Sequence, residues 1–373
     1  MKETSRRLGA EYLSVAPSTR QHSYPPKGVL HQGTHRLCVN LVCHFRDSPI
    51  NVLFVVDTTA VWSYLTKEAR VLLHPDLDNT APCFFMGIDH LPIECAQSFG
   101  DWEHINILGT NAMAKLGWSP LVDWGRGSFV MAPVSIGRRR WRPGVWAGWD
   151  GEGLQVAARE PLTSSSALSS AAADVKPPTG QVLHREEKVT SFDGPPEGKA
   201  RHPHEYAVKL PDMAEKEMEA ISRDLGAEYL SVAPSERQHS YPPEGVLHVD
   251  TYRLCVNLVC RWDPLKGGFG KPINVLFVID TTAVWSYLSK KAMAALLEKP
   301  IDSDALPSNL TVRIEDHLGK EHLIECAPSF GDFEHINILG TQAMGRLGWS
   351  PVVVEWGDWG MFIMAPVSIV TFY

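Results

Sequence analysis

The feature that most limits how this chain can fold is that it is written twice. LGAEYLSVAPSTRQHSYPPKGVLH, starting at Leu8, returns almost unchanged as LGAEYLSVAPSERQHSYPPEGVLH from Leu225. RLCVNLVC, PINVLF and an apolar run ending in aspartate follow in both halves. EHINILGTNAMAKLGWSP from Glu103 then reappears as EHINILGTQAMGRLGWSP from Glu334, and MAPVSI closes each copy. A period this long exceeds any solenoid unit, so the repeating object is a whole domain. The sequence predicts two such domains, at 1–136 and 212–373. Between them, roughly 137–211, RRRWRPGVWAGWDGEG is followed by SSSALSSAAADVKPPTG and FDGPPEGKARHPH. This stretch is small, polar and Pro/Gly-rich. It buries too little apolar surface to offset its ordering entropy, which predicts a largely disordered linker.

Inside each copy the pattern is strand-rich. RLCVNLVC and INVLFVVD are short β-branched runs bounded by Pro, Asp and Gly. TVRIEDHLGKEHLIECA alternates around Gly319 and reads as a hairpin turning at His317 to Lys320. SKKAMAALLEK predicts a short helix with Ser289 as N-cap, and GTQAMGRLGW a brief one stopped by Gly348. The fold class that follows is all-β with one or two short helices per copy. The repeated stretch from LGAEYLSVAPS to GVLH carries no chemistry of its own; it is expected to add an outer strand or to tie the copies together.

Bulk properties exclude some functions. A net charge of -8 and a pI near 6.0 argue against nucleic-acid binding through bulk positive charge. No apolar run approaches the ~20 residues of a membrane span. The start, MKETSRRLGAEYL, has no apolar core after its charges, so a cytoplasmic protein is expected. Seven cysteines give no metal signature. Cys38 and Cys43, like Cys255 and Cys260, are five apart and point to opposite faces of a strand, which predicts reduced, packed thiols. His202 and His204 in RHPHEY read as a solvated loop, and RRRWR with Trp146 and Trp149 as a basic tail. No metal and no cofactor are expected.

The chemistry concentrates in NVLFVVDTTAVWSYL (51–65) and its twin NVLFVIDTTAVWSYL (274–288). A carboxylate flanked by Phe54, Val55 and Val56 needs hydrogen-bond partners or takes up a proton. Read alone, an aspartate at a strand end caps a turn or the next helix. Some fifty residues later, however, each copy carries an apolar pair and a glycine, Ile107-Leu108-Gly109 and Ile338-Leu339-Gly340, leading into a short helix.

Asp-Thr at a strand end, then a hairpin, then this glycine motif resembles the retropepsin-like aspartic protease family, over about residues 30–120 and 247–350. The resemblance implies two closed β-barrels that each supply one aspartate, with Asp57 and Asp280 as a catalytic dyad. Carboxyl groups about 3 Å apart cannot both ionise and share a proton. By the same resemblance Thr58 and Thr281 brace the pair, Thr59 and Thr282 support it, and Ala60 and Ala283 floor the substrate groove. The hairpin around Asp316, His317, Leu318 and Gly319 would be a flap. The implied activity is aspartic endopeptidase cleavage of a peptide or protein substrate. The alternative is an inactive module for peptide binding or dimerisation. Pairing is expected between the two copies of one chain, or between chains as a homodimer. Three departures stand out: Thr59 and Thr282 replace the family's glycine, copy 1 has a shorter hairpin with Pro92 near its tip, and Thr110-Asn111 and Thr341-Gln342 follow the glycine motif.

Overall fold

The computed structural model describes residues 1–18, 21, 24–31, 33–45, 48–75, 83–133, 154–155, 213–235, 238, 240–248, 253–263, 270–300, 306–316, 319–356, 360–366 and 370–371. Apart from 154–155, the predicted linker lies outside them, as do Trp146, Trp149, His202 and His204. Copy 1 runs α1 (Lys2–Arg7), β1 (Lys27–Leu30), β2 (Leu37–Phe45), β3 (Ser48–Val56), β4 (Ser63–Leu65), α2 (Lys67–Leu73), β5 (Cys83–Ile88), β6 (Leu91–Gln97), β7 (Asn106–Leu108), α3 (Thr110–Leu116), β8 (Trp118–Asp123) and β9 (Ser128–Pro133). The short β10 (Leu154–Gln155) follows. Copy 2 repeats the order as α4 (Glu215–Asp224), β11 (Glu244–His248), β12 (Arg253–Trp262), β13 (Ile273–Ile279), β14 (Ser286–Leu288), α5 (Lys290–Leu297), β15 (Leu310–Glu315), β16 (Glu321–Pro328), β17 (Ile338–Leu339), α6 (Thr341–Leu347), β18 (Trp349–Glu355) and β19 (Met361–Pro366). Finally β20 (Val370–Thr371) pairs with β10 in parallel.

In each copy six strands close on themselves. The ring β3-β7-β4-β6-β5-β2 returns to β3, and β13-β17-β14-β16-β15-β12 returns to β13. The long strands are mostly apolar because both of their faces are largely buried. Val39, Leu41, Cys43, Val52, Phe54 and Val56 point into the barrel, while Cys38, Leu53 and Val55 pack on its outside. Alternation past Val56 therefore puts Asp57 on the outer face.

The helices form where the caps allow. Thr66 and Ser289 Oγ atoms accept from Ala69 and Ala292 N–H at the starts of α2 and α5. Gly117 and Gly348 end α3 and α6 in the left-handed conformation, at φ 66° and 68°. α1 and α4, ahead of each barrel, add to the one or two short helices per copy that the sequence predicts. The repeated stretch also supplies an outer strand: β1 pairs with β2 and β9, and β11 with β12 and β19.

The two copies meet through β8 and β18 in a pseudo-twofold exchange. Val122 N–H donates to Ser350 Oγ at 3.1 Å, and Val353 N–H to Ser119 Oγ at 3.0 Å. Leu121, Ala132, Val352, Ile363 and Ala365 form the apolar cluster between them. No helix among the described residues is long and apolar enough to cross a membrane.

Candidate active site

Asp57 and Asp280 sit where β3 and β13 run out, still on the sheet ladder: their N–H groups donate to Leu108 and Leu339 carbonyls at 3.1 and 3.2 Å. The turn that follows each wraps back onto the carboxyl group. Asp57 Oδ1 accepts from Thr59 N–H (2.8 Å), Thr59 hydroxyl (2.6 Å) and Ala60 N–H (3.1 Å). Asp280 Oδ1 accepts from Thr282 N–H (2.7 Å), Thr282 hydroxyl (2.6 Å) and Ala283 N–H (3.0 Å). Both Oδ2 atoms are buried and have no hydrogen-bond partner among the described residues. Burial, and next to it the negative charge of Asp57, push the Asp280 carboxyl up to about 6, against the opposing pull of the Thr282 and Ala283 donors. Asp57 is thus near enough for its charge to act on Asp280 although 223 residues separate them, the same spacing as between Thr58 and Thr281.

Those threonines lock the two turns together. Thr58 hydroxyl donates to Ile279 carbonyl and Thr281 hydroxyl to Val56 carbonyl, each at 2.8 Å. Their N–H groups donate to the opposite hydroxyls at 3.2 and 3.3 Å. All four bonds are buried. Thr59 and Thr282 sit in these turns without strain, since neither has a positive φ. Their hydroxyls turn inward onto the aspartates, adding a donor that glycine lacks.

Gly109 and Gly340 are required by close approach. A Cβ on either would lie 2.3 Å from the backbone oxygen of Trp62 or Trp285. Ile107 and Ile338 occupy β7 and β17, which run between the aspartate strand and β4 or β14, and Leu108 and Leu339 point into the barrels. Two further pairs, whose sequence context carries no motif, hold this crossing. Ser63 and Ser286 Oγ accept from Gly109 and Gly340 N–H at 3.1 Å. Asn106 and Asn337 bridge three segments, accepting from Thr66 or Ser289 N–H and donating to Leu53 or Leu276 carbonyl. The available signal was a buried amide inside the apolar HINILG run. Thr110 and Thr341 hydroxyls reach Ala60 and Ala283 carbonyls.

The hairpin assigned as a flap lies elsewhere. His317 and Leu318 fall outside the described residues; Asp316 and Gly319 are in the turn between β15 and β16. β15 pairs with the end of β12 remote from the dyad, at Arg261–Arg313 and Trp262–Val312. Gln238 Nε2 donates to both Val259 and Glu315 carbonyls. Val259 pairs in turn with Asn274, six residues and roughly 20 Å of strand before Asp280. Asp316 meets His322 Nε2 at 3.0 Å, and its charge, after burial, helps raise the Tyr241 hydroxyl to about 12. In copy 1 the matching turn is only Asp89 and His90, both at positive φ as a tight hairpin requires, with Pro92 opposite Gly87. The flap assignment fails because strand partners, not motif order, decide where a hairpin points. After β4 and β14 come helices, and Ala69, Leu73, Ala292, Met293 and Leu296 of α2 and α5 fill the barrel cores.

Aromatic rings flank the dyad. Burial and then the nearby aspartate raise the Tyr64 and Tyr287 hydroxyls above the usual tyrosine range. Tyr287 meets Phe330 and Phe333 edge-on, and Tyr64 meets Phe99. All seven cysteines are free thiols. Among the described residues no group of three His, Cys, Asp or Glu is placed to hold a metal.

No family model matches the chain, and no curated protein matches it in sequence. Its two closed six-stranded barrels with a few helices are compatible with a tandem two-barrel aspartic protease fold.

Proposed function

We propose that the chain is an aspartic-type endopeptidase whose dyad, Asp57 and Asp280, forms within one molecule. One observation carries the reading. Two buried carboxyl groups, on turns related by a pseudo-twofold, each tie up one oxygen and leave the other unpartnered, and the charge of one weakens the acidity of the other.

Such a pair takes up one shared proton as the pH falls through about 6. The ionised carboxylate takes a proton from water while the water oxygen bonds to the peptide carbonyl carbon. The protonated partner gives its proton to the carbonyl oxygen, leaving a neutral tetrahedral diol. In the second half, the carboxyl that took the water proton passes it to the leaving nitrogen as the C–N bond breaks. One diol hydroxyl returns its proton to the other carboxylate, which restores the starting state. The Thr59 and Thr282 donors keep each Oδ1 fixed, so that Oδ2 does the proton transfer.

The test is incubation of the full chain with a mixed peptide pool across pH 3 to 7, beside Asp57→Asn and Asp280→Asn. The expected result is cleavage that falls off above about pH 6 and is lost in both variants. Identical fragment patterns in all three samples would overturn the reading and leave a non-catalytic peptide-binding module.

A further inference from the structure

The same residues surround the two aspartates, yet they are covered to different extents. Beside Asp57, Trp62 is 43% and Phe99 73% exposed, and Ala60, Tyr64 and Ile105 are half-buried. Beside Asp280, Ala283 is 1%, Tyr287 0% and Ile336 1% exposed, and Phe330 is half-buried. Ala, Tyr, Ile and Phe stand at these positions in both copies; one neighbour differs, Phe333, buried edge-on to Tyr287 and Phe330 where copy 1 has Trp102 under Arg36.

The rest of the cover comes from the stretch that enters copy 2. Met213, and Met218 and Ile221 of α4, share one buried apolar cluster with Val278, Ala283, Tyr287, Ile336 and Ile338. Ala283 is the residue whose N–H holds Asp280. In copy 1 the matching cluster is smaller, with Met1, Leu8 and Tyr12 only partly buried against Cys38, Leu53 and Val55. α1 presents Thr4 where α4 presents Ile221, as the alignment of Ser5 with Ser222 requires. Unbranched thioethers adapt to irregular apolar and aromatic surfaces, which suits a removable occupant. Among the described residues the polar ties of the stretch are Lys291 with Glu215, the Glu217 cap on Ala214 N–H, and Ser222, whose hydroxyl bonds Asn257 Oδ1 at 3.0 Å or Ala227 carbonyl at 2.9 Å and whose carbonyl accepts from Asn257 Nδ2 at 3.1 Å.

We propose that Met213 to Ile221 is an internal occupant of the peptide-binding face beside Asp280. The chain accepts a substrate side chain on the Asp57 side and opens the Asp280 side only when this stretch lifts. The occupant it yields to is an extended peptide carrying a large unbranched apolar residue, the chemistry of the methionines it replaces. This rests on the reading that the dyad face binds peptide, not on whether it hydrolyses one.

Cys255 lies in the same cluster, while Cys260 points into the barrel core, so the two thiols report separately on the cover and on the fold. The test compares Met213→Asp/Met218→Asp with the parent in the full chain. Alkylation by N-ethylmaleimide is read residue by residue by mass spectrometry. Cys255 labelling should rise at least tenfold while Cys260 stays protected. In an Asp57→Asn background, a dye-labelled octapeptide rich in Met and Leu should bind about tenfold more tightly once the stretch is disabled. Unchanged Cys255 labelling, labelling of Cys260 as well, or unchanged peptide affinity would each overturn the proposal. Absence of cleavage by the parent chain bears only on hydrolysis and leaves these readouts intact.

Discussion

Copies 1 and 2 carry the same dyad turn and different surroundings, and the contrast separates two kinds of determinant. Around Asp57 and Asp280 the hydrogen bonds match donor for donor to within about a tenth of an ångström. A few residues further out, Trp62 and Phe99 face solvent where Trp285 and Phe330 are half-buried, and Tyr64 and Ile105 are half-buried where Tyr287 and Ile336 are sealed. Short-range geometry follows the repeated motif wherever it is placed. Coverage depends on what the rest of the chain brings to each copy: α4 brings Ile221 into the apolar cluster where α1 has Thr4.

The symmetric part makes the strongest demands. Asp57→Asn and Asp280→Asn should each lower peptide cleavage by about a thousandfold, and equally, because a shared proton makes the pair one unit. A large inequality would mean that one aspartate alone does the chemistry. Next in size, Gly109→Ala and Gly340→Ala should each destabilise the chain by roughly 3 kcal/mol or more in chemical denaturation, since the added Cβ meets backbone oxygen rather than a movable side chain. Near-equal losses would confirm that both crossings are built alike.

Acidity gives a third contrast. The Asp280 carboxyl is raised in the folded state, so folding favours its protonated form. The resulting stability is fully present below about pH 4 and lost as pH rises through about 6. Asp280→Asn, which keeps an acceptor for Thr282 and Ala283, should remove that loss. Against the parent it should gain roughly 2 to 3 kcal/mol at pH 7.5 and little at pH 4. A pH-independent difference would show that the charge is not buried in solution. The smallest effect is expected from the brace: Thr58→Val or Thr281→Val removes two cross-copy bonds and should cost about 2 kcal/mol each. If either costs nothing, the turns are held by the β8–β18 contact alone.

Much of the site was legible because its signals are local. An aspartate closing an apolar strand, two threonines after it and a glycine ahead of a short helix each follow from backbone geometry within a few residues. Ser63 and Asn106 were harder to see, because a buried serine or asparagine looks ordinary until the three segments it joins are known. The pattern around Asp316 and Gly319 specifies a hairpin but not where it points. Its alternation fixes that two strands pair with each other, but the partner of β15 is β12, some fifty residues earlier, and that pairing carries the turn away from the dyad.

The sequence by itself determined that two like domains exist, that they are mainly strand, and that each ends one strand in an aspartate with its own donors. Only the tertiary structure decided that the two turns clasp through Thr58 and Thr281, which strand each hairpin joins, and which aspartate lies under an apolar cover. The division has a physical origin. Strand period and turn chemistry act over a few residues, whereas register, docking and burial depend on groups that chain length keeps apart until the fold brings them together.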